Sequence, residues 1–175
     1  MNSVKADFFY RKPLKKGESK PIFGLAEPDP QRPDHKSFER EVINARSKAT
    51  SFKREGFKLL NHKSSVEDFY DDQSVASAYY LEMQELAKKE TNADEVFIVS
   101  HITRNELEAQ NGKRLGAHRL VHNDFTPNFN QTVKPIIENA TFKPSKISVF
   151  NLWRRFDKDG LDAPFAVCDS STVSE

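Results

Sequence analysis

The sequence predicts an α+β fold, with helices in its first half and strands in its second. Its 175 residues suit one domain, and 37% of them are apolar, which is enough for a buried core. Residues 72–90 carry apolar side chains at helical spacing, at Val75, Ala78, Tyr79, Met83, Leu86 and Ala87. Residues 95–101 and 146–154 are apolar runs of strand length, rich in Val, Ile and Phe.

Local signals predict the remaining elements of the first half. Residues 1–37 form an extended arm rich in Lys and Pro, with a short strand at 5–10. Residues 38–93 are mostly helical, although 40–45 and 56–60 are predicted as strands. Ser64 and Glu67 have capping-box spacing, which predicts a first helix before the one at 72–90.

We expect the second half, residues 94–175, to form an incomplete β-helix core. Strands are expected at 117–125 and 163–169, besides the two runs named above. Asn111-Gly112 is a turn dipeptide, and residues 131–140 predict a short helix with Pro135 in its first turn.

Charge and cysteine content exclude several classes of function. Lys plus Arg number 27 and Asp plus Glu 26, so neither nucleic acid nor an anionic membrane surface is an expected partner. The single cysteine, Cys168, excludes an internal disulfide framework and a Cys-based zinc cage. No apolar run approaches the roughly 20 residues of a membrane helix, and no signal peptide is evident, which predicts a cytoplasmic protein.

His122 and Asp124 are the candidate metal ligands. At i and i+2 in a strand, their side chains point to the same face. An imidazole and a carboxylate from one strand, joined by a further histidine, form the 2-His-1-carboxylate face of Fe(II) oxygenases, which leaves three positions open.

Two other interpretations of this segment stay open. In the first, His122 is a surface histidine and Asp124 caps the turn at Thr126-Pro127. In the second, His118 and His122 share a helical face as zinc ligands, but Arg119 stands where that motif needs a glutamate base. In a strand, His118 would lie roughly 13 Å from His122, too far for a shared ion.

Several segments resemble the asaB-type hydroxylase/desaturase family, which includes CmcJ-like and NvfI-like Fe(II)/2-oxoglutarate-dependent oxygenases. The resemblance runs nearly end to end. The segments that carry it are Arg54-Glu55-Gly56-Phe57-Lys58-Leu59, Tyr79-Tyr80-Leu81-Glu82, His101 to Arg104, Val121-His122-Asn123-Asp124, Phe150-Asn151-Leu152-Trp153-Arg154 and Ala166-Val167-Cys168-Asp169.

This resemblance implies a partial double-stranded β-helix core of the jelly-roll group, with N-terminal helices packed on it. It also implies Fe(II), 2-oxoglutarate and O2 as reactants in the hydroxylation or desaturation of a secondary metabolite. His122 and Asp124 carry over as iron ligands, and Arg154 as a charge for the cofactor carboxylate. Asn151 and Trp153 match a strand near the substrate pocket, with core packing as the alternative role for Trp153.

The sequence departs from the family after the Cys-Asp segment. In the family, the distal histidine ligand and the basic residue that grips the keto acid follow that segment, whereas no histidine follows His122 here. We therefore expect a C-terminally truncated chain. Such a chain could be a weakened oxygenase, or a homo-oligomer formed through exposed sheet edges. It could also be a non-catalytic relative that binds a small hydrophobic metabolite or a partner chain.

Overall fold

The computed structural model describes residues 3–18, 34–125, 130–156 and 164–173. The chain divides into two compact units. The first unit comprises Met1–His62, Arg104–His122 and Leu161–Glu175, and the second comprises Lys63–Thr103 and Asn123–Gly160.

A two-stranded antiparallel hairpin forms the regular part of the first unit. Strand β1 (Ser3–Arg11) pairs with strand β2 (His35–Ile43) along their full lengths. Tyr10 meets Phe38 edge-to-face across the pair, with ring centroids 5.5 Å apart. Such aromatic cross-strand contacts stabilise a sheet. The hairpin confirms the predicted strand at 5–10 and much of the one at 40–45, whereas residues 19–33 of the predicted arm lie outside the described residues.

Leu120 adds one parallel bridge to the free edge of β1. It pairs with Phe9, and the Val121 N–H donates to the Phe9 carbonyl at 2.9 Å. Leu120 is 5% exposed and belongs to the small core.

The bridge does not extend into the predicted strand at 117–125, and that prediction was wrong. Side chains take the backbone groups that a neighbouring strand would need. Arg104 donates to the Gly116 carbonyl at 2.6 Å, and the Glu106 carboxylate accepts from the Ala117 N–H at 2.6 Å. A strand requires continuous backbone pairing, which these contacts interrupt.

One long helical segment organises the second unit, and it confirms the helix predicted over 72–90. It consists of α1 (Asp72–Ser74), a π-helical turn (Val75–Tyr79) and α2 (Tyr80–Thr91). The Asp71 side chain caps its start by accepting from the Gln73 N–H at 3.0 Å. Asn92 ends it in the left-handed conformation, with φ 55°. Its buried apolar residues are Val75 and Met83.

Two short α-helices and two 3-10 helices (Ala45–Ser47 and Ser170–Thr172) complete the regular elements of the described residues. Helix α3 (Glu106–Gln110) is capped by Asn105, whose side chain accepts from the Glu108 N–H at 2.9 Å. The predicted turn follows it, with Gly112 at φ 67°. Helix α4 (Asn130–Ile137) confirms the helix predicted at 131–140. Pro135, however, lies near its C-terminal end, so placing it in the first turn was wrong.

The helix predicted after Ser64 does not form. The Ser64 hydroxyl accepts from the Val66 N–H, two residues on, in a local turn. The backbone N–H and hydroxyl of Ser65 both donate to Glu82, at 2.7 and 2.6 Å. A distant carboxylate on α2 therefore replaces the local capping contact that Glu67 was expected to make.

The predicted strands at 56–60, 95–101 and 146–154 are not strands in the structure, nor is the described part of 163–169. In two of them a side chain takes a backbone group: Gln84 donates to the Val96 carbonyl at 2.9 Å, and the Leu59 N–H donates to the Thr50 hydroxyl at 2.9 Å. Several of their apolar side chains lie open to solvent, with Val99 64% exposed, and no neighbouring strand pairs with these segments within the described residues. The jelly-roll class stays a prediction.

Within the part of the chain that the structure describes, no helix has the length and apolar character that crossing a membrane requires.

Replacing Met83 with alanine tests the apolar face of α2. Met83 is 4% exposed, so Met83→Ala should lower the free energy of unfolding by about 2 kcal/mol, measured by urea titration. Leu81 is 60% exposed on the same helix and provides the matched control. Equal effects of Met83→Ala and Leu81→Ala would contradict this assignment of the buried face.

Candidate functional site

His122 is held two residues beyond the bridge that Leu120 makes to β1. Its Nδ1 lies 2.7 Å from the Leu120 carbonyl oxygen. A carbonyl only accepts, so Nδ1 carries the proton, and in the neutral imidazole Nε2 carries the lone pair. Metal-binding histidines are commonly oriented by such a contact to a backbone carbonyl. His122 is exposed, and its tautomer is the one that suits a ligand.

His118 stacks on His122, with ring centroids 4.0 Å apart and planes inclined by 25°. The expected separation of roughly 13 Å was wrong, because the segment between them is not an extended strand. Ring lone pairs lie in the ring planes, so stacked rings direct them side by side and not towards one point. The stacked arrangement therefore does not form the two-histidine zinc site.

Asp124 belongs to the second unit, where Asn151 holds its carboxylate. The Asn151 amide donates to Asp124 Oδ2 at 2.6 Å. Hydrogen bonds of this kind orient carboxylates that bind metals. Asn151, predicted as a substrate contact, is thus placed against the predicted metal ligand. Thr126 and Pro127, which Asp124 caps in the alternative interpretation, lie outside the described residues.

Arg154 lies three residues after Asn151 and packs in an aromatic cluster. Its Nε donates to the Tyr79 hydroxyl at 3.0 Å. The guanidinium carbon lies 5.4 Å from the Tyr79 ring centroid and 5.9 Å from that of Phe69. Phe69 stacks on Phe156 at 4.9 Å. These contacts hold the guanidinium in one orientation, by hydrogen bonding and by cation–π attraction.

Trp153 is 52% exposed, so the alternative of core packing was wrong for this residue. It stands between the segment's two anchored side chains, Asn151 and Arg154, with much of its indole open to solvent.

The Tyr79-Tyr80-Leu81-Glu82 segment makes tertiary side-chain contacts that the sequence analysis did not predict. Tyr79 accepts from Arg154, Tyr80 contacts His101 at 2.8 Å, and Glu82 accepts from Ser65. The resemblance had marked the segment, but nothing in the sequence indicated the partners of its side chains.

No group of three or more His, Cys, Asp or Glu side chains within the described ranges is arranged to hold a metal ion. His122 and Asp124 remain neighbours in sequence, but they belong to different units. The same-face argument for them assumed a strand that does not form.

Ser170, which follows the Cys168-Asp169 segment, bonds the backbone of the Arg54-Glu55-Gly56 segment in the first unit, beside the buried carboxylate of Glu55. Glu55 is 4% exposed and accepts from the backbone N–H of Ser51 at 2.8 Å. The Ser170 N–H donates to the Glu55 carbonyl at 3.0 Å, and its hydroxyl donates to the Arg54 carbonyl at 2.9 Å. Gly56 has φ +79°, and a side chain there would meet Ser170 Oγ at 3.1 Å. This turn fixes the segment that follows Cys168.

The comparisons with known proteins identify the family. A family model described as "Oxidoreductase/YMDC permease-like domain" matches residues 8–175, and the chain belongs to that family. The chain is 30% identical over 155 residues to an uncharacterized protein in the dcmA 3'region of Methylophilus leisingeri, covering 68% of this chain and 72% of that protein.

Fungal oxygenases confirm the resemblance to the asaB-type hydroxylase/desaturase family. The chain is 33% identical over 93 residues to the alpha-ketoglutarate-dependent dioxygenase phiK of a fungal species, covering 50% of this chain and 34% of phiK. It is 26% identical over 141 residues to the hydroxylase/desaturase CTB9 of Cercospora beticola, covering 69% of this chain and 42% of CTB9. The chain thus spans between about a third and two fifths of these two relatives. No solved structure matches it.

Titration of Glu55 predicts a pH-dependent stability. The Ser51 N–H, which donates to the carboxylate, lowers the pKa of Glu55 below its ordinary value of 4.5 and outweighs the opposing effect of burial. A lowered pKa contributes stability above pH 4.5, and this stability is lost as pH falls through the lowered value. The stability difference between wild type and Glu55→Gln should therefore shrink below pH 4.5.

Urea titrations across pH measure this difference, with Glu67→Gln, an exposed position, as the control. A difference between wild type and Glu55→Gln that stays constant from neutral to acid pH would contradict the role of the Glu55 charge.

Proposed function

We propose that this chain carries part of the active site of an Fe(II)- and 2-oxoglutarate-dependent hydroxylase or desaturase that acts on a secondary metabolite. The observation that carries the proposal is the segment from Asn151 to Arg154. Within three residues, it orients the carboxylate of Asp124 and holds a guanidinium against Tyr79.

His122 and Asp124 are the proposed metal ligands. His122 offers an imidazole whose proton is fixed on Nδ1, and Asp124 offers a carboxylate oriented by Asn151. Imidazole nitrogen and carboxylate oxygen are the donors of non-haem Fe(II) sites, so both residues fit the ion chemically. Each is a proposed ligand of such a site, carried over from the His-x-Asp step of the family that the sequence resembles.

Arg154 is the proposed binding residue for the keto acid. 2-Oxoglutarate has a carboxylate at each end, and a guanidinium binds a carboxylate through paired N–H donors. The Tyr79 hydroxyl accepts from Nε of Arg154, and the aromatic rings of Phe69 and Tyr79 support the guanidinium from its face. We infer that Arg154 binds one carboxylate of 2-oxoglutarate in this fixed orientation.

When bound, Fe(II) with 2-oxoglutarate and O2 supplies the oxidation of an unactivated C–H bond. The residues of this chain would orient that chemistry: Asn151 fixes the Asp124 carboxylate, and Tyr79 fixes the direction of Arg154. Trp153, half exposed between them in sequence, is the proposed contact for a hydrophobic substrate. The proposed architecture around these residues is the jelly roll of the family.

The alternative function is a non-catalytic relative that binds a small hydrophobic metabolite or a partner chain, including a second copy. The exposed apolar side chains favour it, among them Val99 at 64% and Ile102 at 62% exposure. Metal binding distinguishes the two functions.

Metal binding is tested by anaerobic titration of the chain with Fe(II) and 2-oxoglutarate, followed by the visible charge-transfer absorption. The wild type should develop the band, and His122→Ala should abolish it, because the variant lacks one ligand. Asn151→Ala should weaken Fe(II) binding by about 10- to 100-fold through the freed Asp124 carboxylate. His62→Ala, a histidine outside the proposed site, should match the wild type. Absence of the band in the wild type would favour the non-catalytic alternative.

Keto acid binding is tested by calorimetric titration with 2-oxoglutarate. Arg154→Ala should raise the dissociation constant by about 10- to 100-fold, because it removes a charge-assisted contact. Tyr79→Phe keeps the ring but removes the acceptor for Nε, so it should raise the constant about fivefold. Arg155→Ala, the adjacent exposed arginine, is the control. If Arg155→Ala had the larger effect, the assignment of Arg154 would be wrong.

A further inference from the structure

Three side chains of the second unit form a hydrogen-bonded chain that the proposed function does not use. His101 Nδ1 lies 2.8 Å from the Tyr80 hydroxyl, and His101 Nε2 lies 3.2 Å from Asp72 Oδ1. The Tyr80 and His101 rings also meet edge-to-face, with centroids 5.5 Å apart. The imidazole is 27% exposed, so protein atoms cover most of it.

The directions of these hydrogen bonds follow from the acceptors. A carboxylate only accepts, so Nε2 of His101 carries the proton that Asp72 receives. Nδ1 then carries the lone pair and accepts the hydroxyl proton of Tyr80. Each ring nitrogen of neutral His101 therefore has a distinct partner on the helical segment.

The two partners of His101 bracket the π-helical turn. Asp72 is the first residue of α1 and Tyr80 the first residue of α2, and the turn Val75–Tyr79 lies between them. In a π-helical turn the backbone hydrogen bonds span five residues instead of the four of the α-helix. Such turns are rare and often occur at functional sites. A side chain that bonds both ends of the turn stabilises it against relaxation to regular α-helix.

Tyr79 is the last residue of that turn, and its hydroxyl accepts from Arg154. Relaxation of the turn would rotate Tyr79 about the helix axis, since successive helical residues point in different directions. The Arg154 guanidinium would then lose the acceptor that orients it.

We propose that His101, together with Asp72 and Tyr80, is a clip that maintains the π-helical turn and so positions Arg154 for its carboxylate ligand. In this role His101 is a positioning residue, because it acts on the guanidinium through Tyr80, the turn and Tyr79. The link to 2-oxoglutarate rests on the proposed function, whereas the link from His101 to Arg154 does not.

Two isosteric variants separate the nitrogens of His101. In His101→Asn the side-chain oxygen reaches the position of Nδ1 and can accept from Tyr80, but no donor remains for Asp72. In His101→Gln the amide reaches the position of Nε2 and donates to Asp72, and no acceptor remains for Tyr80. Tyr80→Phe removes the same contact from the other side.

The primary measurement is the Arg154 Nε–H resonance in 1H–15N spectra of the full chain, assigned by its loss in Arg154→Lys. Tyr79→Phe defines its position without the tyrosine acceptor. His101→Gln and His101→Asn each keep only one end of the clip, so both variants, like Tyr80→Phe, should shift it towards the Tyr79→Phe position. His62→Asn, which changes a histidine of the first unit, is the control and should retain the wild-type position. Each variant is first compared with wild type by circular dichroism to verify that it folds. If His101→Gln does not fold, the resonance in Tyr80→Phe tests the clip.

An unchanged Arg154 resonance in folded His101→Gln or Tyr80→Phe would overturn the clip. The second measurement is the dissociation constant for 2-oxoglutarate, which His101→Gln should raise about as much as Tyr79→Phe does, about fivefold. If the wild type does not bind 2-oxoglutarate, the proposed function is wrong. The Arg154 resonance still tests whether His101 maintains the π-helical turn. If binding is intact but His101→Gln leaves both readouts unchanged, the clip alone fails.

Discussion

The π-helical turn at Val75–Tyr79 is the constraint on which the contacts of the second unit depend. It sets the directions in which two consecutive tyrosines leave the helix, so that Tyr79 reaches Arg154 and Tyr80 reaches His101. Apolar packing on this segment is limited, because Val75 and Met83 are its buried residues. Directional hydrogen bonds therefore fix the neighbouring segments more than packing does, and their geometry depends on the turn.

The first unit positions its candidate residue by a different means. His122 depends on backbone pairing: Leu120 bridges to Phe9 of the hairpin, and the Leu120 carbonyl fixes the imidazole proton. Backbone pairing of this kind tolerates changes of side chain, whereas the tyrosine contacts of the second unit do not. Substitutions around Leu120 should thus affect His122 through burial, and substitutions around Tyr79 should affect Arg154 through a single hydroxyl.

Elements set by local sequence were predictable, and elements that need a distant partner were not. The helix over 72–91 follows from apolar spacing, and the aromatic residues of β1 favour a strand that finds β2 within the same unit. Residues 95–101 have strand composition, yet a side chain of α2 takes a backbone carbonyl there. Ser64 illustrates the same limit, since its neighbour Ser65 found an acceptor 17 residues away instead of a local cap.

The residues of the candidate site were also predictable only where local sequence identifies them. The motif around Asn151 and Arg154 was recognisable, but the partners of both side chains, Asp124 and Tyr79, depend on tertiary contacts. Cα atoms three residues apart are separated by at most about 11 Å, so this one segment keeps the proposed metal ligand Asp124 and the proposed carboxylate-binding guanidinium of Arg154 within reach of a small ligand. A short dicarboxylic acid that chelates a metal at one end needs a cation at that range for its other end. The spacing of Asn151 and Arg154 therefore argues for the keto acid more strongly than either residue does alone.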